Sequence, residues 1–217
     1  MELHSWRTKV NKKSFYKYIY YLLALILIIT LELKYLDRSS VTKSSSEDVF
    51  QEYMIQIDRI FQDLKCFPVV KENESYPVSY HDSWGEERTY GGERIHEGCD
   101  LMAASNERGR YIVCSMTDGI VKNIGWLEQG GWRIGIESES GIYYYYAHLD
   151  SYEKAFEIGE RVVAGQILGR MGDSGYGKTP GTKGKFDVHL HVGIYIKDLY
   201  GKERAVNPYW FLKQLEI

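Results

Sequence analysis

The sequence predicts a mainly β, antiparallel domain preceded by one membrane-spanning helix and a short helical stalk. Three observations carry this. Residues 22–29 are an unbroken aliphatic run behind a basic N-terminal tip. Between Phe50 and Leu64 the apolar positions Phe50, Tyr53, Ile57, Ile60 and Leu64 recur at spacings of three and four, the period of a helix with one apolar face. Beyond Pro68, β-branched or aromatic runs alternate with glycine-rich turns and no long helical pattern intervenes, as in antiparallel β domains.

Composition narrows the classes. With 44% hydrophobic and 14% aromatic residues in 217, the chain can bury a core, which excludes whole-chain disorder. The length suits one domain of ordinary size plus appendages. A net charge of -3 argues against a nucleic-acid partner bound by bulk positive charge. That average conceals a basic tip, with Arg7, Lys9, Lys12, Lys13 and Lys17 against Glu2, on an acidic remainder. Three cysteines, Cys66, Cys99 and Cys114, are too few for a disulfide scaffold and form no Cys-x-x-Cys, which excludes cysteine-built zinc knuckles. Cys99 and Cys114 read as small buried thiols in preference to a disulfide between them.

The N-terminal tip, residues 1–14, is expected in the cytoplasm. Residues 15–36 would span about 33 Å as a helix, enough for a hydrocarbon core of about 30 Å, if Lys17, Glu32 and Lys34 reach toward the interfaces. Tyr16, Tyr18, Tyr20, Tyr21 and Tyr35 suit interfacial belts. A cleaved signal peptide lacks its small-residue cleavage site here, and a buried core helix fits poorly with an apolar run that has no polar face. The favoured reading is an uncleaved single-pass anchor at the cell membrane, with the following residues outside.

Residues 37–66 then read as a serine-rich linker and an amphipathic helix, with Asp48 as its cap and Pro68 as its end. Two heptads are few for an independent coiled coil, so packing on the next domain is favoured over a dimerising stalk. Residues 67–217 form the β domain. Expected strands cover 111–116, 119–126, 132–137, 142–149, 166–171 and 186–196, and a short helix at 209–215 follows the Asn207-Pro208 turn.

The histidines carry the chemistry. In 186–196 the even positions, Phe186 to Ile196, are all apolar, while Asp187, His189, His191, Gly193 and Tyr195 occupy the odd ones. Period-two alternation puts His189 and His191 side by side on the face away from the core. That pair alone is equally consistent with two surface histidines. In the string from Arg94 to Asp100, positions 96, 98 and 100 share one face of an extended chain, and Gly98 leaves room between His96 and Asp100. Imidazole and carboxylate form a normal ligand set for zinc, although such a pair alone is more often a surface ion pair. The helical His-Glu-x-x-His signature is absent, and Glu97 faces away from His96. His148 ends a strand whose even positions are Ile142, Tyr144 and Tyr146.

In combination these blocks resemble a known family. Arg94-x-His96-x-Gly98-x-Asp100, Asp118-Gly119-x-Val121, Tyr146-x-His148-Leu149, Gly159-x-x-Val162-x-x-Gly165-Gln166-x-x-Gly169 and His189-Leu190-His191 are similar in order and spacing to the lysostaphin/LytM-type zinc endopeptidases. The resemblance covers about residues 67–213. It implies an antiparallel fold of the duplicated-hybrid-motif kind, one zinc ion per domain on His96, Asp100 and His191, and His148 and His189 as unliganded catalytic histidines. Tyr146 is implied beside the site as a substrate-binding residue. Zinc with three protein ligands keeps a position for water and lowers that water's pKa to about 7, so the implied reaction is peptide hydrolysis by zinc-bound water with two histidines assisting. The implied substrates are peptidoglycan stem peptides or cross-bridges. The stretch from Asp82 to Arg94 resembles the lead-in of membrane-anchored Gram-positive members.

Residues 172–185, rich in glycine and lysine, read either as a wall of the substrate groove or as a solvated loop. Two other classes compete with the enzyme: a non-catalytic scaffold or activator of cell-wall or sporulation machinery on the same fold, and a metal- or peptidoglycan-binding module. A stalk-mediated dimer or a regulatory partner is compatible with either.

Overall fold

The computed structural model describes residues 46–216 together with Ile26. The tail expected in the cytoplasm, residues 1–14, and the rest of the expected span, residues 15–36, lie outside the described residues. Among the described residues no helix is long and apolar enough to cross a membrane. Val49–Ile217 form one compact unit, which holds every strand found among the described residues.

Helix α1 (Ser46–Asp63) leads into strands β1 (Val78–Ser79), β2 (Glu87–Arg88), β3 (Arg94–Ile95), β4 (Cys99–Ala103), β5 (Ile112–Cys114), β6 (Gly119–Leu127), β7 (Gly131–Glu137) and β8 (Tyr143–Tyr152). Then come β9 (Arg161–Val162), β10 (Ile167–Met171), β11 (His189–Lys197), β12 (Glu203–Val206) and helix α2 (Tyr209–Leu215). One sheet runs in the order β1-β4-β11-β8-β7-β6-β9, with β12 beside β11 and β10 joining β5 to β8. Every pairing is antiparallel. β2 and β3 form a separate hairpin. The mainly β antiparallel class read from the sequence is the observed one.

Alternation divides the sheet into two faces. Leu190, Val192, Ile194 and Ile196 of β11, Ile134 and Ile136 of β7, and Tyr144 and Tyr146 of β8 form the core. Each fully buried aliphatic side chain contributes roughly 1.5–3 kcal/mol of transfer free energy. The opposite face of the same strands carries the histidines. The glycine-valine motifs prove architectural: Val162 is in the core, Asp118 Oδ1 accepts from Ala164 N–H at 2.7 Å, and a Cβ on Gly169 would lie 2.2 Å from Ser151 O.

Several expectations are corrected at element ends. α1 begins at Ser46 and stops at Asp63, so Asp48 lies in its first turn rather than at its cap, and Pro68 is buried beyond its end. The C-terminal half of α1 packs on the domain. Ile60 is fully buried, Phe61 meets Phe211 at 4.8 Å, and Asp63 accepts from the Ser140 and Tyr144 hydroxyls at 2.8 and 3.1 Å. Packing, the favoured reading, thus holds for that half. The histidine strand starts at His189, not at 186, and Phe186 leaves the core to pack on His148 at 4.6 Å. All three cysteines are free thiols. Cys114 neighbours Cys66, not Cys99, whose Sγ lies 3.5 Å from His81 O.

Candidate metal centre and active-site groove

Strand register assembles the centre. His191 sits opposite Asp100 on β4 and opposite Ala147 on β8, so three strands bring their side chains to one place. His96 arrives from the β3–β4 connection, where its backbone N–H donates to Glu86 O at 2.8 Å. His96 Nε2 lies 2.9 Å from His191 Nδ1 and 3.1 Å from Asp100 Oδ1, and His191 Nδ1 lies 2.9 Å from that same oxygen. Four-coordinate zinc with ligands at about 2.0–2.1 Å needs donor atoms about 3.3 Å apart, so this triangle fits with a small expansion.

The donor set calls for a cation. His96 Nδ1 lies 2.9 Å from Ser83 O, a bond in which the ring N–H donates and which leaves Nε2 as an acceptor. Two ring nitrogens and a carboxylate oxygen then converge on one point, where a metal satisfies all three and a single shared proton does not. Arg88 Nη2 donates to the other oxygen of Asp100 at 3.1 Å, turning Oδ1 inward. Burial would raise the Asp100 carboxyl, but the bonds with His191 and His96 outweigh it and hold the group far below the usual carboxylate range. Gly98 supplies the clearance: a Cβ there would stand 2.3 Å from His191 Cε1 and 2.7 Å from Val192 O.

His148 and His189 flank this triad, with ring centroids 4.6 Å apart. His148 Nδ1 lies 2.8 Å from Ser174 O, and His189 Nδ1 lies 2.7 Å from Asp187 O. Both bonds have the ring N–H donating to a carbonyl and leave Nε2 with a free lone pair. Burial, then the neighbouring His189 and His191 imidazoles, holds His148 well below its usual value. Burial also lowers His189, with Asp100 partly opposing. Two neutral imidazoles therefore face the centre at neutral pH. His148 reaches it because its own backbone is left-handed (φ 63°). The turn breaks the alternation that the sequence implied and separates His148 from the face of Tyr144 and Tyr146.

The substrate-binding role that the family resemblance implies for Tyr146 is corrected by its burial. Its ring is fully buried in the core, and its hydroxyl accepts from Met116 N–H at 2.8 Å. Tyr145, on the other face, lies 5.9 Å from the His191 ring and forms the groove floor with Tyr143 and Tyr195. The open groove has a volume of about 910 Å³.

Ser174 within the 172–185 stretch was not foreseen. It is fully buried, its Oγ donates to Leu149 O at 2.6 Å, and its carbonyl orients His148. Tyr176 stacks on Tyr90 of the β2–β3 hairpin at 4.3 Å with rings 4° from parallel. The stretch is therefore a groove wall at its N-terminal part, neither a free loop nor a solvated hairpin there. Carbonyl partners such as those of Ser83, Ser174 and Asp187 leave no signature in side-chain identity. Glu97 is exposed on the groove rim. All five histidine and aspartate site residues read from the sequence come together here.

A His-Asp-His triad with a pair of neutral histidines beside it, set in an open groove across an antiparallel sheet, has the layout of a single-metal peptide hydrolase. The comparisons agree and make the class specific. The profile of Peptidase family M23 matches residues 94–208, which cover the whole site, and the chain belongs to that family of metallopeptidases. The L-Ala–D-Glu endopeptidase of Bacillus subtilis (strain 168) is 44% identical over 138 residues, 64% of this chain and 40% of that protein. Lysostaphin of Staphylococcus simulans is 31% identical over 103 residues, 46% of this chain and 19% of that protein. The matched segment thus spans less than half of either curated relative. A crystal structure from Ruminococcus gnavus ATCC 29149, provisionally described as a glycyl-glycine endopeptidase LytM, superposes with a TM-score of 0.69 at 48% identity. That match covers 84% of this chain and 71% of the other.

Proposed function

We propose that this protein is a membrane-anchored zinc metalloendopeptidase that hydrolyses peptide bonds in peptidoglycan stems or cross-bridges. Its N-terminus lies in the cytoplasm and its peptidase domain outside. The observation that carries the catalytic part is the convergence of His96, Asp100 and His191 within hydrogen-bond distance of one another, beside two imidazoles whose free nitrogens face them. The basic tip before the aliphatic run supports the orientation.

His96 Nε2, Asp100 Oδ1 and His191 Nδ1 would hold the zinc ion, which supplies an acidified water and polarises the scissile carbonyl. Arg88 fixes the Asp100 carboxylate, and Ser83 O fixes the His96 ring; such outer partners keep ligand geometry and basicity. Nε2 of His148 or His189 accepts the proton of the attacking water and returns it to the leaving amine. The imidazolium so formed donates from Nε2 to the developing oxyanion before its proton passes to the leaving amine, and the second, neutral imidazole positions the attacking water by accepting a hydrogen bond at its own Nε2. Ser174 O and Asp187 O hold both rings in the tautomer that this needs. The tyrosine floor and the stacked Tyr90–Tyr176 pair confine the peptide along the groove.

Among the curated relatives L-Ala–D-Glu goes with 44% identity and glycyl-glycine with 32%, whereas the Ruminococcus gnavus structure at 48% identity carries a glycyl-glycine description; L-Ala–D-Glu, the bond of the curated relative with the higher identity, is the one assigned here. The test is digestion of purified peptidoglycan by the zinc-loaded full-length protein in detergent, with released peptides sequenced by mass spectrometry. New glutamyl N-termini in wild type, absent with His189→Ala, support the proposal. Wild type that holds zinc and releases nothing from any wall type supports the scaffold instead.

A further inference from the structure

Arg133 is a guanidinium in the groove without a partner. It lies on β7 between Trp132 and the fully buried Ile134, on the groove face. Its Nη1 is buried and makes no hydrogen bond, and among the described residues no carboxylate pairs with it. The neighbouring arginines differ. Arg88 is tied to Glu86 and Asp100, Arg94 donates to the Tyr176 hydroxyl and Tyr90 O, and Arg108 grips Asp173 through two bonds. Around Arg133 stand the hydroxyls of Tyr143, Tyr145 and Tyr152, which feel its positive charge. The groove carboxylates Glu97, Asp187 and Glu203 leave it unpaired. A half-buried guanidinium with an unmet N–H is costly unless something completes it.

Its position says what that is. The β7–β8 ladder pairs Ile134 with Tyr146 and Trp132 with Leu149, so Arg133 faces the bulge at Ala147 and His148. Ala147 in turn pairs with His191. Arg133 and His191 are therefore two strand spacings apart, about 10 Å between backbones, in line across the sheet. A peptide with its scissile carbonyl at the metal centre brings the side group of a residue next to that bond within reach of Arg133. The backbone beneath is fixed, since Arg133 O accepts from the Tyr152 hydroxyl at 2.8 Å.

We propose that Arg133 is a specificity-determining residue that binds a free carboxylate on the substrate, carried one or two residues from the scissile bond. The planar fork of a guanidinium suits a carboxylate through two parallel bonds. A glutamyl residue in a peptide uses one carboxyl for the chain and leaves the other free, whereas a glycine bridge offers none. The site thus selects acidic stem peptides over glycine bridges and over stems whose free carboxyl is amidated. This rests on the peptidase reading above.

The test uses two synthetic stem peptides that differ only in carrying a carboxylate or a carboxamide beside the scissile bond. Their affinities are measured on the zinc-loaded full-length His189→Ala protein, with and without Arg133→Met. Their kcat/KM values are measured on wild type, Arg133→Lys and Arg133→Met. The expected result is a preference for the acid of about 10- to 100-fold, carried mainly by KM, kept in part by the lysine variant and brought near unity by methionine, with zinc content unchanged. Equal binding of acid and amide before Arg133 is altered overturns the proposal, as does a preference that survives Arg133→Met. Preferential binding through Arg133 without cleavage leaves the carboxylate site standing and removes the peptidase reading. Cleavage without preference does the reverse.

Discussion

Replacing Gly98 by alanine adds one methyl group and is expected to dismantle the metal centre from a residue that is not itself a ligand. The added carbon would stand 2.3 Å from Cε1 and 2.6 Å from Nε2 of His191, and 2.7 Å from Val192 O. Normal contact needs about 3.4 Å, so the imidazole must retreat by about 1 Å. The backbone cannot absorb the shift cheaply, because Val192 pairs with Cys99 and His191 with Asp100 in the same ladder. A displacement of about 1 Å at a reacting centre costs on the order of 100-fold in rate, and a disturbed ligand shell about 10- to 100-fold in metal affinity. Overpacking adds about 1–3 kcal/mol of destabilisation. The assay is zinc affinity by chelator competition, with kcat/KM and a thermal melt on the same preparation. A Gly98→Ala protein that binds zinc within twofold of wild type and turns over normally would refute the account of how His191 is placed.

Three further outcomes follow from the same structure. Tyr146→Phe leaves the buried Met116 N–H without its acceptor and should cost about 1–3 kcal/mol in chemical denaturation with little change in KM, whereas Tyr145→Ala, on the groove floor, should raise KM with a small change in melting. Burial would raise the Asp173 carboxyl, but Arg108 and the Gly184 N–H hold it below its usual value. Its contribution is therefore complete above the unfolded pKa of about 3.9 and is lost as pH falls through the folded value; Asp173→Asn should be less stable at pH 6 and show a shallower acid decline in melts from pH 6 to 3. The hydrogen bond with Cys114 brings the Cys66 thiol down to about 7 although burial opposes it, so at pH 7.5 Cys66 should alkylate before Cys99 and Cys114 in peptide mapping of the folded protein. Equal rates at all three thiols would contradict that.

Most of the fold was legible because its strands alternate strictly. In β11 the apolar even positions specified both the core and the side on which His189 and His191 project, while the ligand triad was implied by the family resemblance that the motifs carry. Two of the misses, at His148 and Phe186, share one physical cause: places where the backbone leaves its regular path. His148 turns inward through a left-handed residue, so period two put it on the wrong face; Tyr146, which the family resemblance implied beside the site, stays in the core, and Tyr145 faces the groove. Phe186 precedes the strand that its apolar character seemed to begin. The tautomers of His96, His148 and His189 are set by backbone carbonyls, which every residue has, so side-chain identity could not point to Ser83, Ser174 or Asp187. Arg133 was passed over because its isolation from any carboxylate is a fact of three dimensions only.

The claim on which the rest depends is that His96, Asp100 and His191 hold one zinc ion while His148 and His189 do not. It is tested by zinc content per chain, by elemental analysis of the purified full-length protein, in wild type, His191→Ala and His189→Ala. The account predicts one zinc per chain in wild type, near none in His191→Ala, and one in His189→Ala with its peptidase activity gone. Zinc retained by His191→Ala, or lost equally from His189→Ala, would contradict it.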